Sequence, residues 1–440
     1  MSGGRTRPGK KAMATRARIL DSAAHTFRTK GYAGTRLSDV AAAADTQAGS
    51  LYYHFPSREE LVEEVLRVGQ ERTSGYVRRR VAALSDDASC LDRLREAIDA
   101  HLDSTLESGD YTAATIRIIG QVPEEIRKRR LHEQREYGLF WRGLVNDAHE
   151  SGEIRTDLDS SVLRMLLLGA MNSVPDWFRP RRDGLSAAAF KQQFESLFLE
   201  GLAITKSSGL RPLDGELEAV KSAESTVLLS AERQDDMADG AKRILDGAAK
   251  VFRQNGYAGT RLADVAAAAG IQTGSMYYYF DSREHLVREL LLAAWKRTDD
   301  LARTSVNALP ATASALERFS TVLTAHLLSV LRSSMYTSAL VRILGQISDV
   351  VREQTVANQR AYLDYWRGLL NEAITAGEVR DDLDPMVVTM LMTGALNWTV
   401  EWYSADGDLN PEQLAIQFST LVFDGIAGEL TSAKIRAATA

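Results

Sequence analysis

Apolar residues recur along this chain at the spacing of one helical face. Ile19, Ala23 and Phe27 stand four apart with Leu20 and Ala24 beside them, and Leu37, Val40, Ala41 and Ala44 follow the i, i+3, i+4, i+7 rule. The same spacing governs stretches around 91–106, 125–149, 159–178 and 187–204, which Gly109, Gly152 and Gly184 punctuate. Alternating β-branched runs are absent, so the predicted fold class is all-α.

The pattern then returns. RILDSAAHTFRTKGYAGTRLSDVAAAADTQAGSLYYHFPSREELV begins at Arg18, and RILDGAAKVFRQNGYAGTRLADVAAAAGIQTGSMYYYFDSREHLV begins at Arg243. Tyr32 matches Tyr257, Phe55 matches Phe280 and Trp141 matches Trp366, each at a shift of 225 (257 − 32 = 225). A solenoid repeat runs about 20–50 residues, so this is a duplicated domain. The predicted divisions are a basic arm (1–12), a reading domain (13–66) and a helical body (67–205), then a linker (206–237), a second reading domain (238–291) and a second body (292–432). The linker carries Gly209, Pro212 and Gly215 and leaves room for a short helix after Leu217. As flexible chain it would span roughly 30 Å.

Each unit opens with three short helices. Lys30-Gly31 ends the first, Thr35 is the expected N-cap of a second reaching about Ala44, and Asp45-Thr46-Gln47 turns into a third over Ala48–His54. Ser57 to Glu60 reads as a capping box for a fourth. Two short helices across a tight turn make a helix-turn-helix. Leu51 and Phe55 would pin the third helix to the body, leaving Gln47, Ala48, Ser50, Tyr52, Tyr53 and His54 outward. Small residues let such a helix sink into a major groove, while hydroxyls, amide and imidazole meet phosphates and base edges. Unit two offers Gln272, Thr273, Ser275, Tyr277, Tyr278 and Tyr279. The competing reading makes the paired tyrosines core fillers.

TRLSDVAAAADTQAGSLYYHF and TRLADVAAAAGIQTGSMYYYF resemble the DNA-binding region of the TetR (TetR/AcrR) family of transcriptional regulators, over about 50 residues in each unit. The resemblance implies that Thr35, Arg36, Tyr53, His54 and Arg58 hold phosphates, with Gln47, Ala48, Ser50 and Tyr52 nearest the bases. In unit two it implies Thr260, Arg261, Tyr278, Tyr279 and Arg283 for phosphates, and Gln272, Thr273, Ser275 and Tyr277 for bases. The family's glycine in the inter-helix turn is present as Gly270 but replaced by Asp45, a residue that tolerates left-handed backbone.

The resemblance further implies dimer-like pairing through the last two helices of each unit. Segments 159–178 and 187–204 are therefore expected against 384–403 and 411–428, an intramolecular pseudo-dimer. A rival arrangement pairs equivalent units of two chains into a higher oligomer. Ala48 against Thr273, His54 against Tyr279, and an arm carrying Arg5, Arg7, Lys10 and Lys11 only on unit one predict an imperfectly palindromic double-stranded DNA operator.

Net charge is −6, so any basic footprint is local. The sole cysteine, Cys90, rules out an internal disulfide. No phosphate-binding GxxxxGK[ST] loop, HExxH or GxSxG is present, and the seven histidines are scattered, which argues against an enzyme and predicts neither metal nor cofactor. No apolar run approaches the ~18 residues of a membrane span. A cytoplasmic, nucleoid-associated protein with no membrane partner is expected.

Polar and aromatic positions recur in the helical bodies. His101/His326, Arg117/Arg342, Gln121/Gln346, Trp141/Trp366, Asn172/Asn397 and Trp177/Trp402 are candidate ligand-binding pairs, or else members of buried structural networks. GALNWTVEWYSADGDLNPEQLA and DYWRGLLNEAITAGEVRDDLDP resemble the ligand-binding region of TetR-type regulators of fatty-acid and steroid breakdown. That implies a small hydrophobic effector, an acyl-CoA or other lipid-like molecule. Arg127, Lys128, Arg129, Arg130 and Arg135 could meet a CoA phosphate or form a solvated helix face. The expected function is a repressor released from its operator by this effector; the alternative is a constitutive architectural DNA binder.

Overall fold

A computed structural model of the chain describes residues 10–32, 34–119, 121–178, 184–201, 208–233, 239–257, 259–333, 335–344, 347, 349–404 and 406–425. Most of the basic arm, Gln346, and the side chains of Arg117 and Arg342 lie outside the described residues. Unit one runs α1 (Lys10–Lys30), α2 (Leu37–Ala43), α3 (Ala48–His54), α4 (Arg58–Gln70), α5 (Tyr76–Ala82), α6 (Cys90–Glu107), α7 (Gly109–Ile118), α8 (Glu124–Glu150), α9 (Ser160–Trp177) and α10 (Ala187–Glu200). A linker helix α11 (Asp214–Arg233) follows. Unit two runs α12 (Asp239–Asn255), α13 (Leu262–Ala269), α14 (Thr273–Met276), α15 (Arg283–Ala308), α16 (Ala315–Leu328), α17 (Met335–Leu344), α18 (Asp349–Thr375), α19 (Pro385–Trp402) and α20 (Pro411–Asp424). The described residues form no strand, as the periodicity requires, and no described helix is long and apolar enough to cross a membrane.

Local chemistry fixes the helix starts. The Ser57 and Ser282 hydroxyls accept the backbone N–H of Glu60 and His285, so Ser57 caps α4 as its sequence predicts, with half of the expected capping box formed. Ser89 with Asp92 and Ser314 with Glu317 form complete capping boxes for α6 and α16. Thr35 is not the N-cap of α2. Arg36 occupies that position, and Asp39 accepts its backbone N–H at 3.1 Å.

The two units join through α9, α10, α19 and α20, the helices expected from sequence. Apolar faces carrying Leu163, Leu166, Leu167 and Met171 meet those carrying Val388, Leu391, Met392 and Ala395, all buried. Two glycines allow the backbones of α9 and α19 to come close. A β-carbon on Gly169 would stand 2.5 Å from Cβ of Trp398, and one on Gly394 would stand 2.5 Å from Cβ of Ser173. A polar clasp repeats about the same pseudo-two-fold. Gln417 Oε1 accepts the Asp159 N–H at 2.8 Å and Gln193 Oε1 accepts the Asp384 N–H at 3.0 Å. Arg155 approaches Asp424 at 3.9 Å while Arg380 pairs with Glu200 at 3.1 Å.

The units are not equivalent. The linker is not a loose tether: α11 lies along α15 and α16, burying Val220 and Ala223, with Leu213 buried just before it. Arg211 anchors its start through Asp424 at 2.6 Å and the Thr420 hydroxyl at 2.9 Å. Its apolar stripe is sparse and broken by the buried Glu216, which is why the sequence leaves room only for a short helix after Leu217 where a helix of 20 residues forms. The reading domain of unit one has its own core, built with Tyr111, Ala114 and Ile118 of α7, whereas that of unit two is continuous with its body. After α4 a π-helical turn, Glu71–Gly75, interrupts unit one where α15 runs straight through.

Candidate DNA interface and internal cavity

In unit one, α2 and α3 are joined by a turn in which Asp45 takes φ 46°, and in unit two Gly270 takes φ 67°. The expected left-handed position is therefore kept with either residue, because a short polar side chain tolerates it. Leu51 and Phe55 are buried on one side of α3, as are Met276 and Phe280 in unit two. The opposite side is open. Tyr53 is 82% and Tyr278 86% exposed, with Tyr52 and Tyr277 also exposed, so these rings fill no core. Gln47, Ala48, Arg36, Gln272, Thr273, Ser275 and Arg261 are exposed beside them, with Ser50 and His54 half-buried. A β-carbon added at Gly49 or Gly274 would meet nothing within 4 Å. Glycine there serves no internal packing, and small residues on an open face suit close approach by another molecule.

Several expected contacts are spent inside the protein. Thr35 is 1% exposed and its hydroxyl donates to the Gly31 carbonyl at 2.6 Å; Thr260 is likewise buried and donates to Gly256 at 2.7 Å. Both close the loop before the second helix, and their hydroxyls are not offered outward. The guanidinium of Arg58 lies 4.2 Å above the Tyr32 ring and donates to the carbonyls of Tyr32 and Thr35. Arg283 lies 4.0 Å above Tyr257 and donates to the Tyr257 carbonyl. These arginines brace the reading domain, with desolvated cation–π contacts of this kind contributing about 1–2 kcal/mol. Tyr279 turns back, so that a methyl group at Gly240 of α12 would overlap its phenol. Helix α14 ends at Met276, and Tyr277–Tyr279 continue as turns, shorter than the seven residues of α3.

Inside the bodies the recurring polar residues form two matching tetrads. His101 Nδ1 bonds the Tyr137 hydroxyl at 2.9 Å and its Nε2 bonds Asn172 Oδ1 at 3.2 Å. His326 repeats this with Tyr362 at 3.1 Å and Asn397 at 3.1 Å. Trp141 and Trp366 stand edge-on to the histidines, with indole N–H groups turned toward the tyrosine hydroxyls but outside hydrogen-bond geometry. Burial lowers both imidazoles to about 4, with the asparagine bonds opposing the shift. The rings are therefore neutral near pH 7. With asparagine Oδ1 accepting from Nε2–H, each carboxamide NH₂ remains to be used elsewhere.

A cavity of about 840 Å³ lies where α9 and α19 cross. Of the expected ligand residues it is lined by Gln121, Asn172, Trp177, His326 and Asn397, and of the basic run on α8 by Arg127. Trp141 and Trp366 are fully buried core residues and do not reach it, and neither His101 nor Trp402 is on its wall. Gln121 has a second role, because its Oε1 accepts the Tyr32 backbone N–H at 3.0 Å and so joins the body to the reading domain. Sequence reasoning missed Trp295, Thr298, Tyr362, Gly169, Ser173 and Trp398 on this wall. The basic run on α8 is largely neutralised: Arg129 pairs with Glu63 at 2.7 Å and Arg130 with Glu133 at 2.7 Å, while Arg127 and Lys128 share Glu124.

Paired helix-turn-helix heads, each seated on a helical body and coupled through those bodies, define a DNA-binding transcriptional regulator. The chain belongs to the tetR family of bacterial regulatory proteins, which matches residues 19–65 and 244–290; the tetracyclin repressor-like C-terminal domain matches 87–202 and 312–426. It is 29% identical over 196 residues to the HTH-type transcriptional repressor KstR2 of Rhodococcus jostii (strain RHA1), covering 43% of this chain and 91% of that protein. It is 25% identical over 187 residues to the fatty acid metabolism regulator protein of Bacillus subtilis (strain 168), covering 42% and 94%. Among solved structures, the ketosteroid transcriptional regulator KstR2 of Mycobacterium tuberculosis aligns with a TM-score of 0.38 at 24% identity, over 44% of this chain and 94% of that one. Both of these curated relatives match over nearly their whole length but under half of this chain, as a tandem duplication requires.

Proposed function

We propose that this regulator is a repressor that grips an imperfectly palindromic operator with α3 and the α14 turn, and releases it when a small hydrophobic effector enters the cavity between α9 and α19. The observation that carries this reading is the pairing of two outward tyrosine faces on one chain through a single four-helix interface. Two heads fixed to one frame must enter successive grooves about 34–36 Å apart or a multiple of it, so a change in the frame alters both at once. The cavity touches that frame and also Gln121, whose bond to Tyr32 reaches the first head. An effector can act only through a difference in affinity for the two arrangements. The relative named for fatty acid metabolism supports an acyl-CoA as the first effector to try.

Ala48 opposite Thr273, and the shorter α14, support half-sites that differ in sequence. The outward set Arg36, Tyr53, His54, Arg261 and Tyr278 is proposed for phosphates, and Gln47, Ala48, Ser50, Tyr52, Gln272, Thr273, Ser275 and Tyr277 for bases. Footprinting on the promoter of the protein's own gene tests the reading. One protected site of two unequal halves, lost when either Tyr53 or Tyr278 is replaced by Ala and vacated on adding octanoyl-CoA, is expected. Binding that survives crippling of either head removes it.

A further inference from the structure

Duplication predicts two effector pockets, one per unit, but this cavity, which both units line at the α9–α19 crossing, runs deep into the body of unit two only. It reaches the tetrad of unit two, where His326, Tyr362, Trp295 and Thr298 form its wall, whereas the tetrad of unit one contributes only Asn172. The cause lies in one pair of equivalent positions, Ser173 and Trp398 (398 − 173 = 225). Each sits on the glycine of the opposing helix at the same 2.5 Å reach, Trp398 on Gly169 and Ser173 on Gly394. The indole therefore occupies the seat on the unit-one side, and only a hydroxymethyl group occupies the seat on the unit-two side. We infer that one chain takes one effector, held in unit two's half of the cavity, and that the Ser173/Trp398 exchange decides this. The inference rests on the effector-responsive reading above and adds its stoichiometry, its side and the chemistry of the occupant.

That chemistry follows from the donor that faces the cavity. The Asn397 carboxamide is on the wall, and its NH₂ is left over once its oxygen is engaged by His326. Beside it the wall is apolar and aromatic, with Leu340, Leu363, Met390 and Trp295, which stands where unit one has Gln70. An acceptor on an apolar body fits this wall. A neutral carbonyl oxygen supplies it, whether in an acyl thioester or on a flat ring system.

The test is a fluorescence titration of the full chain with prodan, a flat apolar naphthalene ketone, with native mass spectrometry for the count. One prodan per chain with blue-shifted emission is expected. Octanoyl-CoA and androst-4-ene-3,17-dione are then added as competitors. Displacement by the first marks an acyl thioester as the natural chemistry, displacement by the second marks a ring ketone, and displacement by neither overturns the inference. Ser173→Trp should weaken prodan at least ten-fold while retaining helical circular dichroism, since Gly394 offers the seat that Gly169 already gives Trp398. Trp398→Ser should raise the count to two. Two sites in the parent chain, no prodan binding, or a Ser173→Trp variant that binds unchanged would each overturn it. The regulator reading itself falls only with the operator footprint.

Discussion

Gln121 Oε1 accepts the backbone N–H of Tyr32 across the boundary between body and reading domain, at 3.0 Å. The loop it meets is fixed by Gly31, whose φ of 70° and lack of Cβ bring the amide within reach; a β-carbon there would lie 3.0 Å from the same oxygen. Beside it the Tyr111 hydroxyl donates to Asp21 at 2.8 Å, and Tyr336 repeats this with Asp246 at 2.8 Å. Gln121→Ala should strand the Tyr32 N–H, at a cost of about 1–3 kcal/mol. Hydrogen exchange at the Tyr32 amide should accelerate, and the effector response should fall by a larger factor than operator affinity does. Unchanged exchange at that amide would remove the coupling role.

Arg36 and Arg261 are exposed at equivalent helix starts, free of the stacking that holds Arg58 and Arg283. Each Arg→Ala change should weaken binding to every duplex and shallow the log K against log salt slope by about 1. Thr273→Ala should leave that slope alone and change base preference in one half-site by about 1–3 kcal/mol. Anisotropy titrations at several salt concentrations separate the two kinds of effect.

Gly169→Ala would place a β-carbon 2.5 Å from Trp398 Cβ. Neither backbone can yield cheaply at a helix crossing, so a loss of about 1–3 kcal/mol is expected. Trp398→Ala in the same chain should recover part of it, giving a non-zero coupling energy in a double-mutant cycle read by urea unfolding. Purely additive losses would show that the two residues do not oppose each other.

Acid should destabilise the fold through His101 and His326. Their folded values are lowered to about 4 by burial, against an unfolded value near 6.5. Above about pH 6.5 both states are neutral and the groups contribute nothing to the pH dependence. As pH falls from about 6.5 to about 4 the unfolded chain takes up protons the native one refuses, so stability drops by up to roughly 3 kcal/mol per histidine. His326→Gln should flatten the fall over this window, as measured by urea midpoints from pH 7 to pH 4.5. An unaltered slope would mean His326 titrates normally in the native protein.

Much of the architecture was legible in the chain. The 3.6-residue period, the 225-residue repeat and the turn at Asp45 or Gly270 are local facts, and they gave the helices, the duplication and the open face of α3. Residues whose roles depend on distant partners were not legible. Thr35 and Arg58 look like outward polar residues until Gly31 and Tyr32 come beneath them. Arg129 and Arg130 of the basic run on α8 look free for an anion until Glu63 and Glu133 close on them.

The cavity is illegible in the chain for a related reason. Positions at which the two units agree mark the tetrads of His101 and His326. The proposed asymmetry of the cavity lies where the units differ, Ser173 against Trp398 and Gln70 against Trp295. By itself the sequence determined two helical units with outward recognition faces, because helix periodicity, turn stereochemistry and side-chain size act within a few residues of one another. Only the tertiary structure decided which polar groups are spent internally and which side of the α9–α19 crossing stays open. Those outcomes depend on what two helices, far apart in the chain, press against each other across a gap wide enough for glycine alone.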